Sequence, residues 1–153
     1  MENVRKILEE QRISFDIIRH KQPIRTAKEG AHALGIDIGQ TAPALVLKAD
    51  ADYVVLIMSG ARGRIDLEAA ARMLGCSKLE LASRLEAREA TGYEAGAIPL
   101  AGHALPCLVD KLLYRYPWIY GGTGEPDSTL KLDPRDLSKV NHVIAHLDAD
   151  GLG

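Results

Sequence analysis

The sequence predicts a mixed α/β fold, and three observations carry that expectation. Apolar residues recur at helical spacing in several segments, as in "ENVRKILEEQ", where Val4, Ile7 and Leu8 share one face. β-branched and leucine-rich runs of strand length stand between those segments, among them residues 43–49 and 53–59. The two kinds of segment follow no strict strand–helix–strand rhythm, so the strands are expected to pair mostly antiparallel within a mixed sheet.

In chain order, the helix in "ENVRKILEEQ" is followed by a strand in "SFDIIRH". Thr26 caps a short helix in "TAKEGAHALG", with Glu29 three residues on as its capping-box partner and Gly35 as its stop. The runs 43–49 and 53–59 are joined by "DAD", a turn signal, and form an antiparallel hairpin. Asp66 caps a helix in "DLEAAARMLG", and Ser77 with Glu80 forms a second capping box at the start of "SKLELASRLEAREATG". A glycine-rich loop, "GYEAGAIPLAGH", covers residues 92–103, with strands expected at 106–109 and 117–120. "LKLDPRDLSK" is a strand leading into a helix capped by Asp133, with Pro134 at its first position.

At 153 residues the chain suits a single domain whose core needs neither disulfides nor a structural metal. Its 46% hydrophobic and 26% charged residues are those of a soluble protein, and no apolar run is long enough to cross a bilayer. The start, "MENVRKILEEQRISF", mixes acids with bases and lacks a secretory apolar segment, so a cytosolic protein is expected. Cys76 and Cys107 stand in no CxxC and beside no histidine at zinc spacing, which suits reduced thiols. A net charge of −2 argues against coating duplex nucleic acid, which needs many phosphate-neutralising cations. It leaves room for a nucleic acid touched at one end.

Two stretches carry chemistry. Alternation along residues 44–49 places Ala44, Val46 and Lys48 on one face of a strand and Leu45, Leu47 and Ala49 on the other. Lys48 either snorkels past the sheet edge to water or stands at a pocket, where its ammonium stabilises an oxygen that gains charge. In the loop, Gly92, Gly96 and Gly102 permit close backbone approach to a ligand, and consecutive amides there form either an oxyanion hole or a plain turn. The loop lacks the ending of a P-loop and follows a helix, so nucleotide-binding motifs are not supported.

Other polar residues are less informative. His142 and His146 are four apart and share a face if helical, but "HVIAH" lacks the glutamate of the zinc-protease motif, and neither metal nor cofactor is expected. His20 and His103 are either surface or capping histidines or line a pocket. Ser59 in "MSGARG" does not stand in a nucleophile elbow. Arg62 and Arg64 read as a solvated turn, with a phosphate contact as the alternative.

In sequence order, "DIIRHKQPIRTAKEGAHALGI", "ALVLKADADYVVLIMSGARGRIDL", "GYEAGAIPLAGH" and "YGGTGEPDSTLKLDPRDL" resemble the YbaK/EbsC family, relatives of the editing domain inserted in bacterial prolyl-tRNA synthetases. The resemblance spans roughly residues 12–145. It implies one compact α/β unit over residues 1–153, with a mixed, mostly antiparallel, barrel-like sheet surrounded by helices. The implied activity is hydrolysis, without a cofactor, of the ester between a wrong small amino acid, such as cysteine, alanine or serine, and the tRNA 3′ end. By position the family's strand lysine falls on Lys48 and its loop on Gly92 to Gly102.

Lys48 and the amides of Gly96 and Ala97 are thereby implied as catalytic donors, with water as nucleophile assisted by a substrate hydroxyl. His20, Thr26, Gly92, Gly102, His103, Tyr120, Gly121 and Gly122 are implied around the substrate. The implied partner is the acceptor end of aminoacyl-tRNA, with a synthetase left open as a second and with no membrane or duplex DNA. One departure stands out: the family's GxxxP pattern from Gly96 places proline at 100, where this chain has Leu100 after Pro99, and the family's second glycine is Ala97. The alternative is a non-catalytic module of the same fold that binds tRNA, a small ligand or a synthetase.

Overall fold

The computed structural model describes residues 1–148. Helix α1 (Glu2–Glu10) buries Val4 and Leu8, as its spacing requires, and leads into strand β1 (Phe15–Arg19). Helix α2 (Ala27–Leu34) is capped by the Thr26 hydroxyl, which accepts from the Glu29 amide at 3.0 Å, and it ends at Gly35 in the left-handed conformation. The Glu29 carboxylate reaches back to the Arg25 amide at 3.2 Å, so the reciprocal half of this capping box sits one residue early. Strands β2 (Thr41–Ala42), β3 (Ala44–Ala49) and β4 (Asp52–Ile57) follow. Next come α3 (Leu67–Leu74), capped by Asp66, then β5 (Leu79–Leu81) and α4 (Arg84–Thr91). The last elements are β6 (Cys107–Asp110), β7 (Ile119–Gly121), β8 (Ser128–Leu132), α5 (Leu137–Val140) and β9 (Val143–Leu147).

The strands form two mixed sheets, one of four strands in the order β1-β8-β7-β2 and one of five in the order β5-β3-β4-β6-β9. Antiparallel pairs (β1 with β8, β7 with β8, β3 with β4 and with β5) are joined to parallel ones (β2 with β7, β4 with β6, β6 with β9). The division falls at Pro43, the single residue between β2 and β3. Proline has no N–H to give to a ladder, so the chain leaves one sheet there and enters the other. Its carbonyl still accepts from the Met58 amide at 3.1 Å.

The alternation expected along β3 holds. Val46 packs with Val55, Val109 and Ile119 and with Val4 and Leu8 of α1 in the larger core, while Leu47 packs with Val54, Leu108 and Ala70 in the smaller. Both cysteines are free thiols, and burial pushes the Cys107 thiol up to about 12. Among the described residues no helix is long and apolar enough to cross a membrane.

Three local expectations are corrected. Ser77 and Glu80 do not open a helix: residues 79–81 form β5, and the Asp50 carboxylate accepts the Ser77 and Lys78 amides at 3.1 and 2.8 Å. The working capping box is Ser83 with Glu86, at the start of α4. Both S-x-x-E patterns satisfy the local rule, and pairing of Leu79 to Ala49 on β3 selects the second. The "HVIAH" segment is strand β9, parallel to β6, so His142 and His146 share no helix face, and His146 Nε2 instead meets the Tyr114 hydroxyl at 3.1 Å. The helix expected after Asp133 is a 3₁₀ turn at Pro134–Asp136 followed by the single turn of α5.

Arg62 is not solvated. Its side chain is 3% exposed and faces the fully buried carboxylate of Asp110 in a two-pronged pair, Nε to Oδ2 at 2.7 Å and a terminal nitrogen to Oδ1 at 2.8 Å. Asp110 also accepts the amides of Ser59 at 3.0 Å and Leu112 at 2.9 Å, and Arg62 donates to the Asp148 carbonyl. Four N–H donors thus meet one carboxylate, and they tie the exit of β4 to the end of β6. Asp110→Ala should cost roughly 3–5 kcal/mol, because it strips four N–H donors, two of them on the buried Arg62 guanidinium, of the carboxylate they share. Denaturant titration measures this, and a loss below about 1 kcal/mol would show the pair to be dispensable.

Candidate active-site cleft

Where the two sheets part, a cleft of about 250 Å³ opens to solvent. Its floor is the four-stranded sheet, through Thr41 and Ala42 of β2, Tyr120 and Gly121 of β7, and Ser128 and Thr129 of β8. One wall is the start of α2 with the residues before it, Ile24 to Ala27. The other is Pro43 to Leu45 together with the 3₁₀ turn Ala95–Ala97 and Ile98. Thr26 therefore has two duties, since it caps α2 and lines the cleft.

The glycine loop is seated by contact with β7. Pro99 forms a parallel bridge with Gly122, and the Leu100 amide donates to the Gly122 carbonyl at 3.1 Å. A Cβ at Gly122 would stand 2.1 Å from the Ile98 carbonyl oxygen, and one at Gly121 would stand 2.6 Å from the Leu100 side chain. The double glycine is what lets the loop lie against the strand. The departure at position 100 also has a physical reading: Leu100 fills the core and donates a bond that proline lacks.

Gly96 lines the cleft, but its φ is not positive and a Cβ there meets nothing within 4 Å. Its freedom from a side chain keeps space open and relieves no strain. Ala97 is buried, and its amide is already given to the Glu94 carbonyl at 2.9 Å, so it is not available as an oxyanion donor. Gly92 closes α4 with φ 81°, and Gly102, with φ 86°, passes beside Asn3 of α1; neither lines the cleft.

Lys48 also lies outside the cleft lining, three residues beyond Leu45 along β3. Its ammonium is 3.2 Å from Glu86 Oε2, and the Tyr53 hydroxyl donates to the same oxygen at 3.1 Å. The Ser83 amide, Lys48 and Tyr53 together pull the Glu86 carboxyl down to about 2, and Glu86 in turn raises Lys48. The ammonium expected in the pocket is thus engaged between β3 and α4.

His20 stands one hydrogen bond behind the floor, with Nε2 2.7 Å from the Thr129 hydroxyl. His103 is 2% exposed and absent from the lining. Its Nδ1 accepts from the Leu105 amide at 3.2 Å, and among the described residues its Nε2 has no partner. Burial holds its pKa down to about 4. Arg25, Ser128 and Thr129 line the cleft and were not singled out from sequence, where an arginine before a helix cap and two hydroxyls at a strand start carry no distinctive spacing. Among the described residues, no three histidine, cysteine, aspartate or glutamate side chains gather as a metal site.

The chain is a mixed α/β domain with a small cleft at the parting of two sheets, floored by hydroxyls and bounded by a glycine-seated loop. It belongs to the aminoacyl-tRNA editing domain family, which matches residues 21–140. It is 24% identical over 135 residues to the uncharacterized protein YwhH of Bacillus subtilis, covering 87% of this chain and 85% of that one. A solved structure named as a candidate trans-editing enzyme for prolyl tRNA synthetase superposes with a TM-score of 0.83 at 30% identity, over 94% of this chain and 92% of that one. The hypothetical protein APE2540 shares the fold, with a TM-score of 0.86 at 22% identity over 94% and 97% of the two chains.

Two outcomes follow from this geometry. Gly122→Ala should lower the melting temperature by several degrees, while Gly96→Ala leaves it within a degree or so of wild type, since only the first forces a Cβ into backbone. Equal melting temperatures for the two variants would contradict the seating of the loop. His103 makes stability depend on pH: its folded pKa of about 4 lies below the ordinary 6.5, so the unfolded chain takes up the proton first. The stability it contributes is complete above pH ~6.5 and is lost as pH falls towards ~4, by on the order of 3 kcal/mol. His103→Asn keeps an acceptor for the Leu105 amide and should flatten that slope in chemical denaturation; identical slopes would refute the assignment.

Proposed function

We propose that this chain is a hydrolase that removes a wrongly attached small amino acid from tRNA, with the aminoacyl ester held in the cleft between the two sheets. The observation that carries the reading is a cleft of the editing-domain fold kept open by Gly96 and floored by hydroxyl groups. At about 250 Å³ it falls below the ~300–1,000 Å³ of pockets for drug-sized ligands, which favours alanine, cysteine or serine over larger side chains. Arg25 at the rim suits the terminal phosphate. Thr129, backed by His20, suits a ribose hydroxyl or the attacking water.

Water adds to the ester carbonyl and gives up a proton, the carbonyl oxygen takes up negative charge, and as C=O re-forms the C–O bond to the ribose breaks with a proton delivered to the leaving ribose oxygen, releasing the free amino acid and the tRNA hydroxyl. His20, acting through the Thr129 hydroxyl, is one candidate to take the proton from water and return it, and the Glu125 carboxylate, which lines the cleft, is the other. A protein nucleophile is not required. Because the 30% identical structure is named for prolyl tRNA synthetase, tRNA for proline carrying alanine or cysteine is the first substrate to test. A second reading, a module that binds tRNA without hydrolysis, is favoured by two particulars: Lys48 is held by Glu86, and the Ala97 amide is spent on Glu94.

The deciding experiment is a deacylation assay over mischarged tRNAs with wild type, Thr129→Val, Gly96→Val and Lys48→Ala. Wild type should hydrolyse at least one substrate. Thr129→Val should lose about 100-fold in kcat/KM. Gly96→Val should lose activity with an unchanged melting temperature, and Lys48→Ala should stay within a fewfold of wild type. Loss of activity in Lys48→Ala comparable to that in Thr129→Val would return the ammonium to the chemistry. Tight tRNA binding with no hydrolysis of any substrate would establish the module.

A further inference from the structure

The outer face of the four-stranded sheet continues the cleft floor. Along β7 Ile119 is buried in the core, so Tyr120 points the other way, into the cleft, and Trp118 lies on the same outer side. On the neighbouring strand Thr129 lines the cleft and Lys131 follows two residues on, ~7 Å further out. The register pairs Tyr120 with Lys131, and the Lys131 ammonium lies 4.9 Å from the centre of the Trp118 ring. Trp118, Tyr120 and Lys131 are all partly exposed. On β1 the face is completed by Ile18 opposite Thr129 and by the acid Asp16 opposite Lys131.

We propose that this face is a stacking platform for the unpaired 3′ tail of tRNA, with the nucleotides before the terminal adenosine lying on Tyr120 and Trp118 and a tail phosphate meeting Lys131. The proposal rests on the reading of the cleft as the site of the aminoacyl end. Its support is the continuity of the aromatic strip with that site and the complementarity of a cation to a phosphate chain. Aromatic rings bind single-stranded bases through their π faces, whatever the base, and the Lys131 ammonium, which sits over the Trp118 ring, gives up that face to a base by turning to the backbone phosphate. An aromatic strip this short takes only a few nucleotides, which agrees with a chain whose net charge of −2 is unsuited to coating a duplex.

Trp118 is the chain's one tryptophan, so its fluorescence reports on the platform directly. The whole protein is titrated with a short single-stranded RNA ending in cytidine-cytidine-adenosine, and separately with a blunt RNA duplex that lacks the tail. Saturable quenching by the tailed strand alone is expected. Because the Trp118 variants carry no tryptophan, their affinity is read from the anisotropy of a dye-labelled tail strand, where Trp118→Leu should weaken binding about tenfold and Trp118→Phe should stay close to wild type. Lys131→Gln should reduce the salt slope of log K by about 0.7.

Equal quenching by the duplex, no quenching by the tail, or unchanged affinity in both the Trp118→Leu and Lys131→Gln variants would overturn the proposal. Quenching by a proline-rich peptide and not by RNA would assign the face to a protein partner instead. If Trp118→Leu does not fold, the wild-type titration and Lys131→Gln still decide. Tail binding at Trp118 without ester hydrolysis would leave the platform standing and remove the hydrolase, whereas hydrolysis with unchanged KM in both variants would do the reverse.

Discussion

The approach of the loop backbone to Gly122 is the constraint on which the site depends. A single side-chain carbon at 122 would collide with the Ile98 carbonyl, and the bridge from Pro99 and the bond from the Leu100 amide exist only because that carbon is missing. With the loop seated, Ala95 to Ile98 become the wall of a cleft whose floor is the other sheet. Pro43 supplies the complementary break, because it ends the ladder of one sheet and starts the chain into the next. A cleft at that seam costs the fold little, since neither sheet has to be interrupted to make room for it.

Two ion pairs show how burial assigns different work to similar groups. Arg62 and Asp110 are withdrawn from water, and every oxygen of the carboxylate is used, so the pair fixes the exit of β4 against β6. Removing the Asp110 carboxylate takes the shared acceptor from four N–H groups, two of them on the buried Arg62 guanidinium. Lys48 and Glu86 keep about a third of their side-chain surface in water, which screens the attraction and limits what it adds to stability. Their effect is local: the pair holds the start of α4 to β3.

The functional reading places a hydroxyl-floored cleft at the aminoacyl end, with the charges of Arg25 and Glu125 among its lining and Lys131 further out along the sheet. Such an arrangement suits a substrate whose reacting end is a small ester and whose charge lies in the phosphates behind it. On the proposed function, selection of the amino acid would rest on the volume between α2 and the 95–98 turn, where an extra methylene must be accommodated or rejected. Recognition of tRNA falls to groups outside that volume.

Much of the local structure was legible in the sequence. Thr26, Asp66, Gly35 and the strands at 44–49 and 52–57 follow from capping and alternation, which act over a few residues and are written in them. Tyr120, Gly121, Gly122, Gly96 and Thr26 were named in advance and do meet in one cleft. The choice between two equivalent capping boxes, the strand at "HVIAH" and the burial of Arg62 were not legible, because each depends on a partner far along the chain: β3, β6 and Asp110. The same holds for Lys48, whose place in the sequence allowed a pocket or a sheet edge until Glu86, 38 residues away, claimed its ammonium. Short-range stereochemistry therefore determined the elements, and long-range packing alone decided which polar groups were left facing the cleft.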